Sequence, residues 1–206
     1  MTAIAGAGRR VGVLALQGDV REHVAVLEGL GAAVLMVRRP EELAQIDGLV
    51  IPGGESSVID KLSRMFGLQH PIREAIRDGM PMLGTCAGLI MLADALVDAI
   101  EGQQSFGGLD VMVRRNAFGG QRESFEADLA VSGFDDGPVH AVFIRGPVIE
   151  RVGPNATALA SLDDGRVVAV EQSALLGISF HPEITGETRF HERFLSSVDA
   201  RSAGAR

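Results

Sequence analysis

The spacing of apolar residues changes near the middle of this chain, and the change predicts two kinds of structure. In the first half, short unbroken apolar runs alternate with stretches at helical spacing. Val11-Gly12-Val13-Leu14-Ala15-Leu16 contains no polar side chain, the pattern of a strand buried on both faces. Asp19 with Glu22 three residues on reads as a capping box. Val20, Val24, Leu27 and Leu30 then recur at helical spacing up to Gly31. Val34-Leu35-Met36-Val37 and Leu49-Val50-Ile51 are the next strands, the second cut off by Pro52-Gly53-Gly54. A helical stretch over residues 57–78 is broken near Gly67 and Pro71. Pro81-Met82-Leu83 leads as a strand into Gly84-Thr85-Cys86-Ala87-Gly88, and Leu89-Ile90-Met91-Leu92-Ala93 leads away as a helix. This rhythm predicts an α/β fold with an open, mostly parallel central sheet flanked by helices.

From Leu109 onward the runs are shorter and of β type: Val111-Met112-Val113, residues 139–144, Val167-Val168-Ala169-Val170 and residues 176–180. Asp135-Asp136-Gly137-Pro138 and Asp163-Asp164-Gly165 are turn signals between them. They predict antiparallel hairpins that extend or flank the parallel sheet. A closing helix is expected over residues 185–198, with a frayed tail after Asp199. There is no internal repeat, linker or low-complexity block. The 206 residues read as one domain, flexible at about residues 1–9 and 200–206.

Composition narrows the setting. Hydrophobic content of 46% and charged content of 22% fit a soluble globular protein. The net charge of −8 argues against nucleic acid as a partner, and the pairs Arg38-Arg39 and Arg114-Arg115 are too short to form a basic stripe. Asp94 and Asp98 interrupt the best candidate for a membrane span. A single cysteine excludes an intramolecular disulfide and suits a reducing compartment. The first residues place Arg9-Arg10 after small residues, the reverse of a secretory signal, so the expected location is the cytoplasm.

Three strings carry candidate chemistry, each at a predicted strand end. Cys86 lies on a tight strand-to-helix turn between small residues, where a nucleophile is often presented. The competing reading is a buried structural thiol, but Gly84, Ala87 and Gly88 do not build a core around it. Phe180-His181-Pro182-Glu183 places His181 at the end of an apolar run, where active-site groups collect in α/β sheets. A free thiol is only about 3% thiolate at neutral pH, so a neighbouring imidazole would activate it. Glu183 could hold that imidazole in one tautomer, completing a triad. Pro52-Gly53-Gly54-Glu55-Ser56-Ser57 could turn backbone N–H groups toward a ligand, and beside a thiol nucleophile an oxyanion hole at Gly53 and Gly54 fits better than a phosphate cradle. A plain turn is the alternative for that string. His23, His70, His140 and His191 lack a comparable setting and read as structural. No cluster has metal-ligand spacing, so no metal is expected.

Together these strings resemble the class I (triad) glutamine amidotransferases. Gly12-Val13-Leu14-Ala15-Leu16-Gln17-Gly18-Asp19-Val20-Arg21-Glu22-His23, Arg115-Asn116-Ala117-Phe118-Gly119 and Phe143-Ile144-Arg145 narrow the resemblance to the glutaminase subunits of pyridoxal 5′-phosphate synthases, over residues 11–194. The resemblance implies that Cys86 attacks the side-chain amide of L-glutamine, with His181 as base and then acid and Glu183 orienting it. It implies an oxyanion role for Gly53 and Gly54, and substrate contacts at Gly54, Glu55, Ser56, Arg115, Ile144 and Arg145. It also implies ammonia delivery to a separate (β/α)₈ synthase subunit, docking near Gln17-Gly18-Asp19, and no cofactor for the glutaminase half-reaction. The chain departs from the family at Gly120, where arginine is common, and at Gly146, where alanine is common. Two rivals remain open: the glutaminase of another amidotransferase, and a different cysteine-elbow hydrolase or peptidase. A catalytically silent regulatory subunit is disfavoured by the complete triad.

Overall fold

A computed structural model describes residues 9–115 and 124–204. In chain order the elements are β1 (Arg10–Leu14), α1 (Val20–Gly29), β2 (Ala33–Val37), α2 (Pro40–Leu43), β3 (Gly48–Ile51), α3 (Ser56–Met65), α4 (Gln69–Arg77), β4 (Met82–Thr85), α5 (Ala87–Leu92) and β5 (Ala93–Val97). There follow β6 (Leu109–Arg114), β7 (Ser124–Leu129), β8 (Val139–Ile144), β9 (Val148–Val152), β10 (Thr157–Ser161), β11 (Val167–Gln172), β12 (Leu175–Ile178), α6 (Pro182–Thr185) and α7 (Arg189–Gly204).

The main sheet runs β2-β1-β3-β4-β12-β11-β9-β6-β5, with β10 attached to β11. The first five strands are mutually parallel. From β12 to β6 each neighbour is antiparallel, and β5 then lies parallel to β6. The expected parallel sheet with antiparallel additions is therefore what forms. Burial follows the same division. Every residue of β3, β4 and β12 is buried, because helices cover both faces. In β6 and β8 buried residues alternate with more exposed ones.

Alternate side chains of the parallel strands feed two cores. Val11, Val13, Val50, Leu83 and Ile178 pack with Leu27 of α1 and with Phe190, Phe194 and Val198 of α7. Leu14, Leu49, Ile51 and Met82 pack on the other side with Ile59 of α3, Ile72 of α4 and Leu89 of α5. The separate β7–β8 ribbon is tied to the first core through Phe143. Its ring stacks on Phe125 with centroids 4.4 Å apart and meets the edge of Phe180 at 5.5 Å. That contact matters for the site, because Phe143 precedes Ile144 and Arg145 while Phe180 precedes His181. Among the described residues no helix is long and apolar enough to cross a membrane.

The structure corrects several local readings. Asp19 precedes α1 but makes no capping bond with its side chain; its Oδ2 lies 3.4 Å from His181 Nδ1 instead. Pro71 does not break a helix. It sits in the first turn of α4, where a missing N–H costs no intrahelical bond, and the break falls at Gly67 with φ +70°. The helix after Cys86 spans Ala87–Leu92, and Ala93 opens β5. β9 and β10 mix polar residues into short strands and give too weak an alternation to be read beforehand, whereas β7, Ser124-Phe125-Glu126-Ala127-Asp128-Leu129, alternates strictly and was missed despite that signal. The closing segment is two helices, and α7 continues past Asp199 to Gly204.

The small residues around Cys86 have a packing cause. A Cβ on Gly88 would lie 2.0 Å from the Ile51 carbonyl oxygen, and one on Gly84 2.6 Å from the Gly88 carbonyl carbon. These glycines let α5 rest directly on β3 and β4. Both clashes are with backbone, which cannot swing aside. Gly88→Ala is therefore expected to lower stability by about 1–3 kcal/mol, read as a lower urea midpoint with an unchanged m-value. An unchanged midpoint would contradict this close packing.

Candidate active site

β4 ends at Thr85, and the chain turns into α5 at Cys86 with φ 49° and ψ −103°. Positive φ is uncommon and strained for a residue with a Cβ, and such strain often marks a functional turn. The turn is pinned by the Cys86 N–H, which donates to the Ile178 carbonyl of neighbouring β12 at 2.8 Å. Register pairs Gly84 with Gly177 and Thr85 with Ile178, so His181, three residues further on, emerges beside the thiol. The His181 N–H donates to Val142 O of β8 at 3.0 Å, which ties the imidazole to the ribbon.

His181 is 4% exposed, and the Cys86 side chain is one of the groups that raise its affinity for a proton. Its Nδ1 lies 2.7 Å from Glu183 Oε1, leaving Nε2 for the thiol. Pro182 starts α6, which places the buried Glu183 in the first turn below the ring. Burial opposes charge on the imidazole, but hydrogen bonds with Asp19, Cys86 and Glu183 outweigh it and push His181 up to about 12. The arrangement can hold an imidazolium beside the sulfur and release its proton to a leaving group. Asp19 as a second carboxylate partner was not foreseen. Among the described residues, Asp19, His181 and Glu183 also bring three donor atoms within 4.8 Å, as a metal site would. Their mutual contacts account for that clustering, and the Glu183 bond occupies Nδ1.

The Gly53-Gly54 loop is packed against the imidazole and against Gln17-Gly18-Asp19. A Cβ on Gly53 would lie 2.4 Å from His181 Cε1, and Gly54 has φ +149°. Gln17 Oε1 accepts the Glu55 N–H at 2.7 Å, and Gly53 O accepts the Asp19 N–H at 3.2 Å. A cleft beside Cys86 is lined by Gly54, Glu55, Ser56, Ile90, Arg115, Ile144 and Arg145. It thus gathers all six of the expected substrate-contacting residues, from three separate parts of the chain. The buried Arg115 donates from Nη2 to Glu55 Oε1 at 2.7 Å and from Nη1 to Gln103 Oε1 at 2.8 Å; its Nε has no hydrogen-bond partner. Gln103 also donates to Ser56 Oγ at 3.0 Å, so it braces two sides of the cleft. Arg145 takes φ 49°, next to the buried Gly146. Gly120 and residues 116–119 lie outside the described residues.

Behind the triad is a polar group that no local pattern announced. His23 and His191 are fully buried, with His23 Nδ1 2.8 Å from His191 Nε2 and His23 Nε2 3.0 Å from Thr85 Oγ1. Burial, reinforced by the charges of His191 and His181, holds His23 well below the usual imidazole value. Burial, partly opposed by Glu187, takes His191 down to about 4. The unfolded chain binds protons on these rings below about pH 6.5 and the folded chain does not. Their contribution to stability is therefore complete above that pH and is lost as pH falls through the interval down to the folded value. For His191 the loss is about 3 kcal/mol between pH 6.5 and 4. Urea midpoints are expected to fall across that window, and less steeply in His191→Phe. Parallel pH curves for the two chains would contradict the assignment.

A parallel sheet whose central strand ends present a thiol on a strained elbow, an imidazole and a carboxylate defines a class: α/β proteins with a cysteine–histidine–glutamate constellation. The chain matches the SNO glutamine amidotransferase family over residues 13–200 and belongs to that family. It is 68% identical to a protein of Clavibacter michiganensis subsp. michiganensis named pyridoxal 5′-phosphate synthase subunit PdxT, across 94% of this chain and 93% of the relative. A protein of the same name from Leifsonia xyli subsp. xyli is 65% identical, across 93% and 97% of the two chains. A solved structure described as a glutamine amidotransferase superposes with a TM-score of 0.86 at 46% identity, covering 92% of this chain and 98% of its own.

Proposed function

We propose that this chain is the glutaminase subunit of a pyridoxal 5′-phosphate synthase, hydrolysing L-glutamine to L-glutamate and ammonia. Family membership and the near-full-length likeness to proteins named PdxT support the activity and the pathway, vitamin B6 biosynthesis. The observation that carries the reading at atomic level is the single cleft that joins Cys86 to Glu55, Ser56, Arg115, Ile144 and Arg145.

In this reading Cys86 Sγ attacks the amide carbon of glutamine and forms a tetrahedral intermediate. His181 passes a proton to the amide nitrogen, the C–N bond breaks, and ammonia leaves a glutamyl thioester. His181 then takes a proton from water, which attacks the thioester; glutamate leaves and the thiol is restored. Glu183 keeps Nδ1 protonated and the ring aimed at sulfur. The oxyanion is received by backbone N–H groups, one from the Gly53-Gly54 loop and one from Ala87, which follows the nucleophile at the elbow. Loss of one such donor typically costs roughly 10²–10³ in rate.

Arg115 receives the α-carboxylate of glutamine, using a guanidinium already oriented by Glu55 and Gln103 and retaining an unpartnered Nε–H. Arg115→Ala is expected to raise KM for glutamine by roughly 10- to 10²-fold, with a smaller effect on kcat. A kcat defect at unchanged KM would place Arg115 elsewhere in the reaction.

The ammonia goes to a (β/α)₈ synthase subunit, and Gln17-Gly18-Asp19, which supports the oxyanion loop, lies near the docking surface. The site of action is the cytoplasm. Glutamine hydrolysis by the purified chain, measured with and without a pyridoxal 5′-phosphate synthase subunit, tests the pairing. Stimulation by that subunit is expected. Full stimulation by an unrelated amidotransferase synthase in its place would overturn it.

A further inference from the structure

The mechanism above uses one oxygen of Glu183 and leaves the other unexplained. Oε1 meets His181, whereas Oε2 is buried, makes no hydrogen bond and lies 3.6 Å from His23 Nε2. His23 comes from α1 and His191 from α7, so two helices on the same face of the sheet deliver a second imidazole, and a third behind it, to the far side of the catalytic carboxylate.

Proton placement in this pair follows from the hydrogen bonds available. Only one proton can lie between His23 Nδ1 and His191 Nε2. Suppose His23 carried it. His191 would then be protonated at Nδ1, a buried N–H with no partner, and His23 would turn a bare Nε2 lone pair toward the Glu183 carboxylate. An orphaned buried N–H is costly, and a lone pair facing a carboxylate adds repulsion. In the other arrangement His191 donates from Nε2 to His23 Nδ1, and His23 donates from Nε2. The one unpartnered atom is then an acceptor, His191 Nδ1, the cheaper group to leave unpaired. The His23 Nε2–H is donated to Thr85 Oγ1, 3.0 Å away, and the same nitrogen lies 3.6 Å from Glu183 Oε2, close enough for its positive edge to attract the carboxylate without a hydrogen bond. The depressed basicity of both rings agrees with a neutral pair.

We propose that His23 is a positioning residue for Glu183: its Nε2–H, fixed in that tautomer by His191, restrains the far carboxylate oxygen and so the His181 ring that serves Cys86. The kinetic part rests on the glutaminase reading above; the tautomer part does not. Thr85 shares the donor, and it is the residue immediately before Cys86, so the same ring also braces the strand end that carries the nucleophile.

Two measurements test this. Long-range ¹H–¹⁵N spectra of the ¹⁵N-histidine-labelled full chain at neutral pH should show His23 and His191 both protonated at Nε2; His23 protonated at Nδ1 would overturn the proposal whether or not the chain is a glutaminase. Glutamine hydrolysis in the presence of the synthase subunit should show kcat lowered roughly 10- to 10²-fold in His23→Leu with KM nearly unchanged. His23→Gln, which restores an N–H near the Nε2 position, should recover most of it. Wild-type kcat in a folded His23→Leu chain, or equal losses in the Leu and Gln variants at equal urea midpoints, would overturn it. If the wild-type chain showed no glutamine turnover with the synthase subunit, the functional reading would fail, and the spectra would still decide the tautomer.

Discussion

Cys86→Ala is expected to lower glutamine turnover by on the order of 10⁴- to 10⁶-fold, the scale seen when a covalent nucleophile is removed from an intact site. In the proposed mechanism the sulfur of Cys86 receives the acyl group, and His181, whose Nδ1 is engaged by Glu183, serves only to move protons. The substitution deletes one atom at a residue 7% exposed, so it opens little cavity. It keeps a Cβ at φ 49°, so the strain of the elbow is retained in both chains. Folding should therefore be nearly unchanged, and glutamine should still bind through Arg115. Initial rates with the synthase subunit, together with urea midpoints, check both halves. Retention of full activity would remove the basis of the mechanism.

Glu183→Gln is the second large effect, expected to reduce kcat by roughly 10³–10⁴. The change is nearly isosteric, but it removes the charge that holds Nδ1–H and allows the wrong ring tautomer. It also alters the pH profile in a direction that can be derived. Asp19, Cys86 and Glu183 together raise His181 against the opposing effect of burial. With Glu183 neutral, one of the three is lost, and the imidazolium gives up its proton at lower pH. The alkaline limb of the residual activity should therefore move toward acid relative to wild type. An unmoved limb would mean that Glu183 does not act through His181.

Which of these residues could be read beforehand depended on whether their signal was local. Cys86 and His181 each sit at the end of an apolar run, and the sheet brings such ends together, so their juxtaposition could be expected from the chain alone. The parallel half of the fold was equally clear, because β3, β4 and β12 are buried throughout and carry unbroken apolar runs. The cleft residues Arg115 and Arg145 were not distinctive by themselves; the resemblance to a family pointed to them. Other partners have no local signature. His23 meets His191 across 168 residues, and Gln103 reaches Ser56 across 47. Asp19 matched a capping pattern, yet its carboxylate makes no bond to the helix end and lies 3.4 Å from His181 Nδ1. The short strands β9 and β10 carry too little alternation to announce themselves and are defined by pairing with β6 and β11, whereas β7 alternates strictly and its signal was there to be read.

The central claim is that Cys86 carries the glutamyl group. Rapid acid quench of the chain turning over glutamine with its synthase subunit, followed by peptide mass spectrometry, tests that claim most directly. The account predicts a glutamyl thioester on the peptide containing Cys86, absent from Cys86→Ala. Steady glutamine hydrolysis with the acyl group on another residue, or hydrolysis that persists in Cys86→Ala, would contradict it.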